Sequence, residues 1–176
     1  SKNATNGIVD ILIKNNTAIM IELNCETDFV ASNQQFRDLS KKLINLRNRV
    51  LLKDDLINLT EELKNLEREI TIFHSKLVGQ ILSKYNKKTG DDIDIIGFHG
   101  QTIFHNAKNK ITKQLGDGNL LSQLTKKNVV YDFRQNDIKN GGEGAPLAPV
   151  YHKLIVEIFN KQKKIKLPIT ILNIGG

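Results

Sequence analysis

Ile-Ile-Gly-Phe-His-Gly-Gln-Thr, residues 95–102, opens the stretch that decides the fold, and Gly-Gly-Glu-Gly-Ala-Pro-Leu-Ala-Pro, residues 141–149, closes it. Between them lie Gln-Leu-Gly-Asp-Gly (114–118), Asp-Phe-Arg (132–134) and Asp137. Each cluster sets polar side chains and glycines at the end of an apolar, β-like run. In α/β proteins that edge is where ligands bind, because chain reversals there turn side chains and free backbone N–H groups into one crevice. Glycine lets the backbone approach a ligand closely and take a positive φ.

Outward from this stretch, short apolar runs alternate with helical patterns, which argues an α/β fold. Ahead of it, Ile8–Ile13 and Thr17–Leu23 are β-like runs on either side of Lys14-Asn15-Asn16, a hairpin turn pattern because asparagine tolerates positive φ. Residues 32–50 predict a helix capped by Ser32 or Asn33, with apolar positions at Phe36, Leu39, Leu43, Leu46 and Val50. A second helix starts near Lys53 and carries a stripe of Leu56, Leu59, Leu63, Leu66, Ile70, Phe73, Leu77 and Ile81. That stripe fits a coiled coil or a helix lying on a sheet; Gly79 and the mixture of Phe with Leu favour the sheet. His74 is placed at the surface or its boundary. Residues 84–92 read as a polar loop and 93–97 as a short buried strand. Residues 103–105 and 111–115 read as a hairpin turning at 106–110. A short helix over 119–125, a strand over 129–131, a helix over 149–160 and a strand over 169–172 complete the pattern.

The 176 residues suffice for one ordinary domain, and an apolar fraction of 39% is compatible with a packed core. The net charge of +7 is spread along the chain and interleaved with acids, which argues against nucleic-acid binding, since that leaves a clustered basic face. One cysteine, Cys25, excludes an internal disulfide framework and suits a reducing cytoplasm. No apolar run approaches the roughly 20 residues of a membrane span, so no membrane partner is expected. Ser1 at one end and an apolar run closing on Gly175-Gly176 at the other give the expectation of a segment of something longer.

The ordered clusters resemble the anhydro-N-acetylmuramic acid kinases. The matching phrases are His99-Gly100-Gln101-Thr102, Gln114–Asp117, Asp132–Asp137, Gly141–Pro149 and Asn173–Gly176. The resemblance covers residues 43–176 and implies part of the N-terminal domain of an actin-like, hexokinase-like ATPase fold, preceded by a β-hairpin and long helices. It implies a kinase that opens the 1,6-anhydro ring of 1,6-anhydro-N-acetylmuramic acid with water and phosphorylates the 6-oxygen from ATP with Mg²⁺, in peptidoglycan recycling. Phosphoryl transfer of this kind is largely positioning and charge neutralisation. The family's phosphate loop, its water-activating aspartate and its adenosine-binding glycines are not matched, so this segment is expected to be inactive alone and no catalytic residue is assigned. What the resemblance leaves is a sugar-binding wall of His99, Gln101, Thr102, Asp132, Arg134 and Asp137. The first three offer donors and acceptors for hydroxyl and acetamido groups, and Arg134 suits a lactyl carboxylate. The structural alternative is that Asp132 and Asp137 fix Arg134 or cap neighbouring loops. The turn at Gly141–Gly144 resembles a phosphate cradle but lacks the Gly-Lys-Ser/Thr ending of a P-loop, and reads as a tight turn under the sugar. His99 and His105 lack a third ligand at metal-binding spacing, so no metal site is assigned.

Residues 5–42, with Asn24-Cys25-Glu26-Thr27-Asp28-Phe29-Val30-Ala31 at their centre, resemble elongation factor Ts. This gives a domain reading of 1–42 and 43–176. It implies elongation factor Tu as a partner, with Asp28 and Phe29 as contact residues. The alternative is that Phe29 and Val30 cover the hairpin while Asp28 caps the next helix.

Overall fold

A computed structural model describes residues 6–14, 17–25, 32–162 and 164–171. Strands β1 (Asn6–Lys14) and β2 (Thr17–Cys25) pair antiparallel, with Lys14 opposite Thr17, as the hairpin pattern predicts. Asp28 and Phe29 lie outside the described residues, as do Asn173–Gly176.

Helix α1 (Gln34–Arg49) starts where Asn33 Oδ1 accepts the backbone N–H groups of Gln35 (2.8 Å) and Phe36 (3.3 Å). These are two of the N–H groups that a helix start leaves unpaired. The helix stops at Val50, where the Arg47 guanidinium donates to the Val50 carbonyl at 2.8 Å. Asp55 then ties the connection to α2 (Lys53–Asn58), accepting the N–H groups of Leu52 and Leu51. Those two donors, Leu52 first, hold its carboxyl below the usual carboxylate range.

The long apolar stripe divides between α2 and α3 (Thr60–Thr89), with the chain breaking step at Leu59. Helix α3 continues into the residues read as a polar loop, as far as Thr89, and Gly90 caps it. Three of residues 84–89 are lysines, good helix formers on a solvated face, and no Gly or Pro intervenes between Ile81 and Thr89.

The core sits between α1, α3 and a β-hairpin. Phe36, Leu39, Leu43, Leu46 and Val50 meet Leu63, Leu66, Ile70 and Phe73, joined by Ile103 and Leu115. Each such side chain contributes about 1.5–3 kcal/mol by leaving water. Phe36 and Phe73 stack with ring centroids 5.9 Å apart. The helix-on-sheet reading of α3 therefore holds only in part: it lies on α1 and the hairpin together. Arg49 and Glu62 bridge α1 to α3 on the exposed side, with Nη2 to Oε1 at 2.7 Å.

The hairpin consists of β4 (Gln101–Asn106) and β5 (Ile111–Leu115), with a bulge between Thr102 and Phe104 that turns Ile103 into the core. Strand β3 (Ile95–Phe98) pairs parallel with β6 (Asn128–Tyr131), and between them in sequence runs α4 (Gly118–Thr125), which Asp117 caps through the Leu120 N–H at 2.9 Å. A short helix, α5 (Gln135–Lys139), follows directly on Asp132–Arg134 and has no counterpart in the sequence reading. Helix α6 (Leu147–Lys161) begins ahead of the expected Pro149, whose missing N–H falls in the first turn, where it costs nothing. None of its residues is buried. Residues 169–171, read as part of a last strand, pair with no strand among the described residues. Among the described residues no helix is long and apolar enough to cross a membrane.

Candidate functional site

Parallel pairing places the carboxyl ends of β3 and β6 side by side, Phe98 opposite Tyr131. The next residues, His99 and Asp132, leave the sheet on that shared edge. Asp132 takes φ of 59°, the left-handed region that a non-glycine residue seldom enters. Gly100 follows His99 with φ of +66°, and a Cβ there would lie 2.7 Å from the Leu115 carbonyl oxygen. Glycine is required at that step twice over, by handedness and by the approach of β5.

Two clefts open at this edge. The first, about 270 Å³, is lined by His99, Gln114, Asp117, Asn119, Asp132 and Gln135, with Glu67, Lys113 and Tyr131. The second, about 210 Å³, lies between His99, Gln114, Phe133, Arg134 and the Gly144–Ala148 segment. His99 and Gln114 line both, so the clefts are neighbours across one shared wall.

Of the residues expected to bind sugar, the structure brings His99, Asp132 and Arg134 to these clefts. Gln101 and Thr102 stay out of the lining. Thr102 sits opposite Gln114 on the hairpin and accepts its Nε2–H at 3.3 Å, so it touches the clefts only through Gln114. Gln114 Nε2 also donates to Thr112 Oγ1 at 2.7 Å, and these two bonds set the amide's direction. Asp137 turns under the glycine loop: its Oδ2 accepts the Gly144 N–H at 2.7 Å. A Cβ on Gly142 would lie 2.3 Å from that carboxylate, so the loop closes on Asp137 only because residue 142 has no side chain. Arg134 Nη1 donates to the Gly144 carbonyl at 2.7 Å from the other side. Asp137 thus takes the loop-capping alternative, and Arg134 combines a loop contact with a place in the second cleft. Among the described residues one of its five N–H donors is used, which leaves donors for a ligand.

The turn at Gly141–Gly144 does not fit a phosphate. Its Gly144 amide is already donated to a carboxylate, and an anion there would meet the Asp137 charge. Among the described residues no three His, Cys, Asp or Glu side chains converge to hold a metal ion. His105 and Thr112 pair on the hairpin at 3.2 Å; neither lines a cleft, and Thr112 reaches the first cleft only through the lining residues Gln114 and Gln135.

Behind His99 lies His74, whose ring centroid is 5.3 Å from that of Phe98 and 6.3 Å from that of Phe73. Its Nδ1–H donates to the Ile70 carbonyl at 2.8 Å, the tautomer this acceptor dictates. Burial lowers its pKa below 6.5 and the charge of His99 adds to that, against the Ile70 carbonyl. Sequence reading missed Glu67, Lys113, Asn119, Tyr131 and Gln135 as cleft residues. Glu67 carried one signal, a charged residue beside Leu66 and Ile70 on the stripe that had to be buried.

A family model described as anhydro-N-acetylmuramic acid kinase matches residues 17–176. The chain belongs to this family. Its members adopt the actin-like, hexokinase-like ATPase fold, in keeping with the mixed α/β architecture here. An anhydro-N-acetylmuramic acid kinase of Pelagibacter ubique (strain HTCC1062) is 55% identical over 134 residues, 76% of this chain and 34% of the relative. Those of Agrobacterium fabrum (strain C58 / ATCC 33970) and Brucella abortus (strain 2308) are 43% and 41% identical over 115 and 114 residues, in both cases 65% of this chain and 30% of the relative. The chain spans about a third of the length of these curated relatives. The family model's match takes in β2 and α1, part of the segment that resembles elongation factor Ts. Neither the family model nor these relatives supports that second resemblance or elongation factor Tu as a partner.

Proposed function

We propose that this chain supplies the sugar-facing part of an ATP-dependent kinase that hydrolyses and 6-phosphorylates 1,6-anhydro-N-acetylmuramic acid. The observation that carries the reading is the convergence of His99, Gln114, Asp132 and Arg134 on adjoining clefts at the carboxyl ends of two parallel strands, in a chain of this family. Hydroxyl and acetamido groups suit the first cleft, where carboxylate, amide and imidazole side chains offer both donors and acceptors. The lactyl group suits the second. Its carboxylate meets Arg134, and its methyl meets the apolar surface of Phe133, Pro146 and Leu147.

We assign these residues to binding and orientation. The glycine turn is filled by Asp137, whose carboxylate takes the Gly144 amide that a phosphate would need. The phosphoryl step, with ATP and Mg²⁺, is therefore not routed through them. Water activation is assigned to none of them either.

Calorimetric titration of the chain with 1,6-anhydro-N-acetylmuramic acid tests the reading, with Arg134→Ala as the comparison. A hydrogen bond to a charged group contributes about 1.5–3 kcal/mol, so the variant should bind roughly ten- to a hundredfold more weakly. A folded wild-type sample that gives no saturable heat would remove the sugar site.

A further inference from the structure

Helix α3 grips the Gln114–Asp117 turn through two side chains one helical turn apart. Glu67 Oε1 accepts the Gly116 N–H at 3.1 Å, and Thr71 Oγ1 accepts the Asp117 N–H at 3.0 Å. Residues four apart share a helix face, so the pair captures two consecutive backbone amides. Thr71 is 0% exposed, and its own proton goes to the Glu67 carbonyl at 2.7 Å. Glu67 Oε1 also accepts Lys113 Nζ at 2.9 Å, which ties the residue before Gln114 to the same carboxylate.

These bonds fix the peptide planes on either side of Gly116. Gln114 stands two residues upstream and lines both clefts; Asp117 lines the first and caps α4. Core packing alone does not call for this pair. Valine has nearly the shape of threonine and would fill the same buried space beside Ile70, but it would leave the Asp117 N–H without its acceptor. We infer that Thr71 and Glu67 are positioning residues, which hold the Gln114–Asp117 turn at the angle that points Gln114 and Asp117 into the ligand clefts. The inference rests on the sugar-site reading for its consequence, and on the turn geometry for itself.

The test compares wild type, Thr71→Val and Thr71→Ser in the 176-residue chain. Two readouts are taken: hydrogen exchange of the Gly116 and Asp117 amides by ¹⁵N NMR, and titration with 1,6-anhydro-N-acetylmuramic acid. Thr71→Ser should keep both amides protected and retain wild-type affinity. Thr71→Val should speed Asp117 exchange and weaken binding, each by roughly tenfold, the scale of one lost net hydrogen bond. Equal binding by Val and wild type would overturn the inference and leave the sugar site standing. If the wild type binds no sugar, the sugar reading falls and exchange decides: serine-rescued loss of protection supports the hold on the turn, and unchanged protection overturns it. If Thr71→Val does not fold, an unprotected Asp117 amide in wild type or Thr71→Ser overturns the inference, and protection in both supports it.

Discussion

Leu66 and Ile81 occupy equivalent places on the apolar stripe of α3, yet they should respond very differently to truncation. Leu66 is 4% exposed in the core shared with α1, whereas Ile81 is 55% exposed. Leu66→Ala removes buried methyl groups and leaves a space that its neighbours close only in part, a loss of about 3 kcal/mol. Ile81→Ala forfeits less than half of a side chain's full transfer value, about 1 kcal/mol, and regains about 0.4 kcal/mol because alanine is the better helix former. The expected gap is therefore about 2.5 kcal/mol. In melting temperature it separates the variants by roughly 5–10 °C for a chain of this size. Urea unfolding followed by far-UV circular dichroism measures the gap directly, provided that the slopes agree so that midpoints report stability. Losses equal to within about 0.5 kcal/mol would refute the reasoning, because the distal half of the stripe would then be covered as fully as the proximal half.

Gly100→Ala should cost at least about 2 kcal/mol, from the left-handed backbone it would force on alanine and from its contact with the Leu115 carbonyl; an unchanged melt would show that the hairpin can retreat freely. His74 should make folding sensitive to mild acid. Its folded pKa lies below 6.5, so the unfolded state binds more protons there and stability falls as pH drops from 6.5 toward the folded value. Urea midpoints between about pH 7.5 and 5.5 should fall further for wild type than for His74→Gln, and parallel curves would exclude the effect.

Much of this arrangement was legible in residue order. Ser32 or Asn33 marked a helix start because a short polar side chain before an apolar-periodic run can reach free amides, and Asn33 is the one that does. The glycine-bearing clusters ended up together because parallel β3 and β6 bring His99 and Asp132 to one edge. The end of α3 was not legible. Residues 84–89 are polar, and polarity separates exposed from buried more surely than loop from helix. Asp137 stayed open between two roles for a related reason: a carboxylate beside glycines offers itself equally to a ligand and to its own loop, and in the structure its Oδ2 takes the Gly144 amide. The Glu67 and Thr71 contacts span more than forty residues of sequence, so no local pattern announces them.

The left-handed backbone at Asp132 bears on how variation at that position should be interpreted. Aspartate, asparagine and glycine accept φ near 59°, whereas valine, isoleucine and threonine resist it. A selection scored only for folding would thus return a narrow repertoire at residue 132 with no sugar present. Arg134 stands two residues on, so a β-branched residue at 132 would also strain the chain that leads its guanidinium into the second cleft, without altering Arg134 itself. Restricted usage at 132 is accordingly a record of chain handedness first, and of ligand chemistry only where aspartate is preferred over asparagine and glycine.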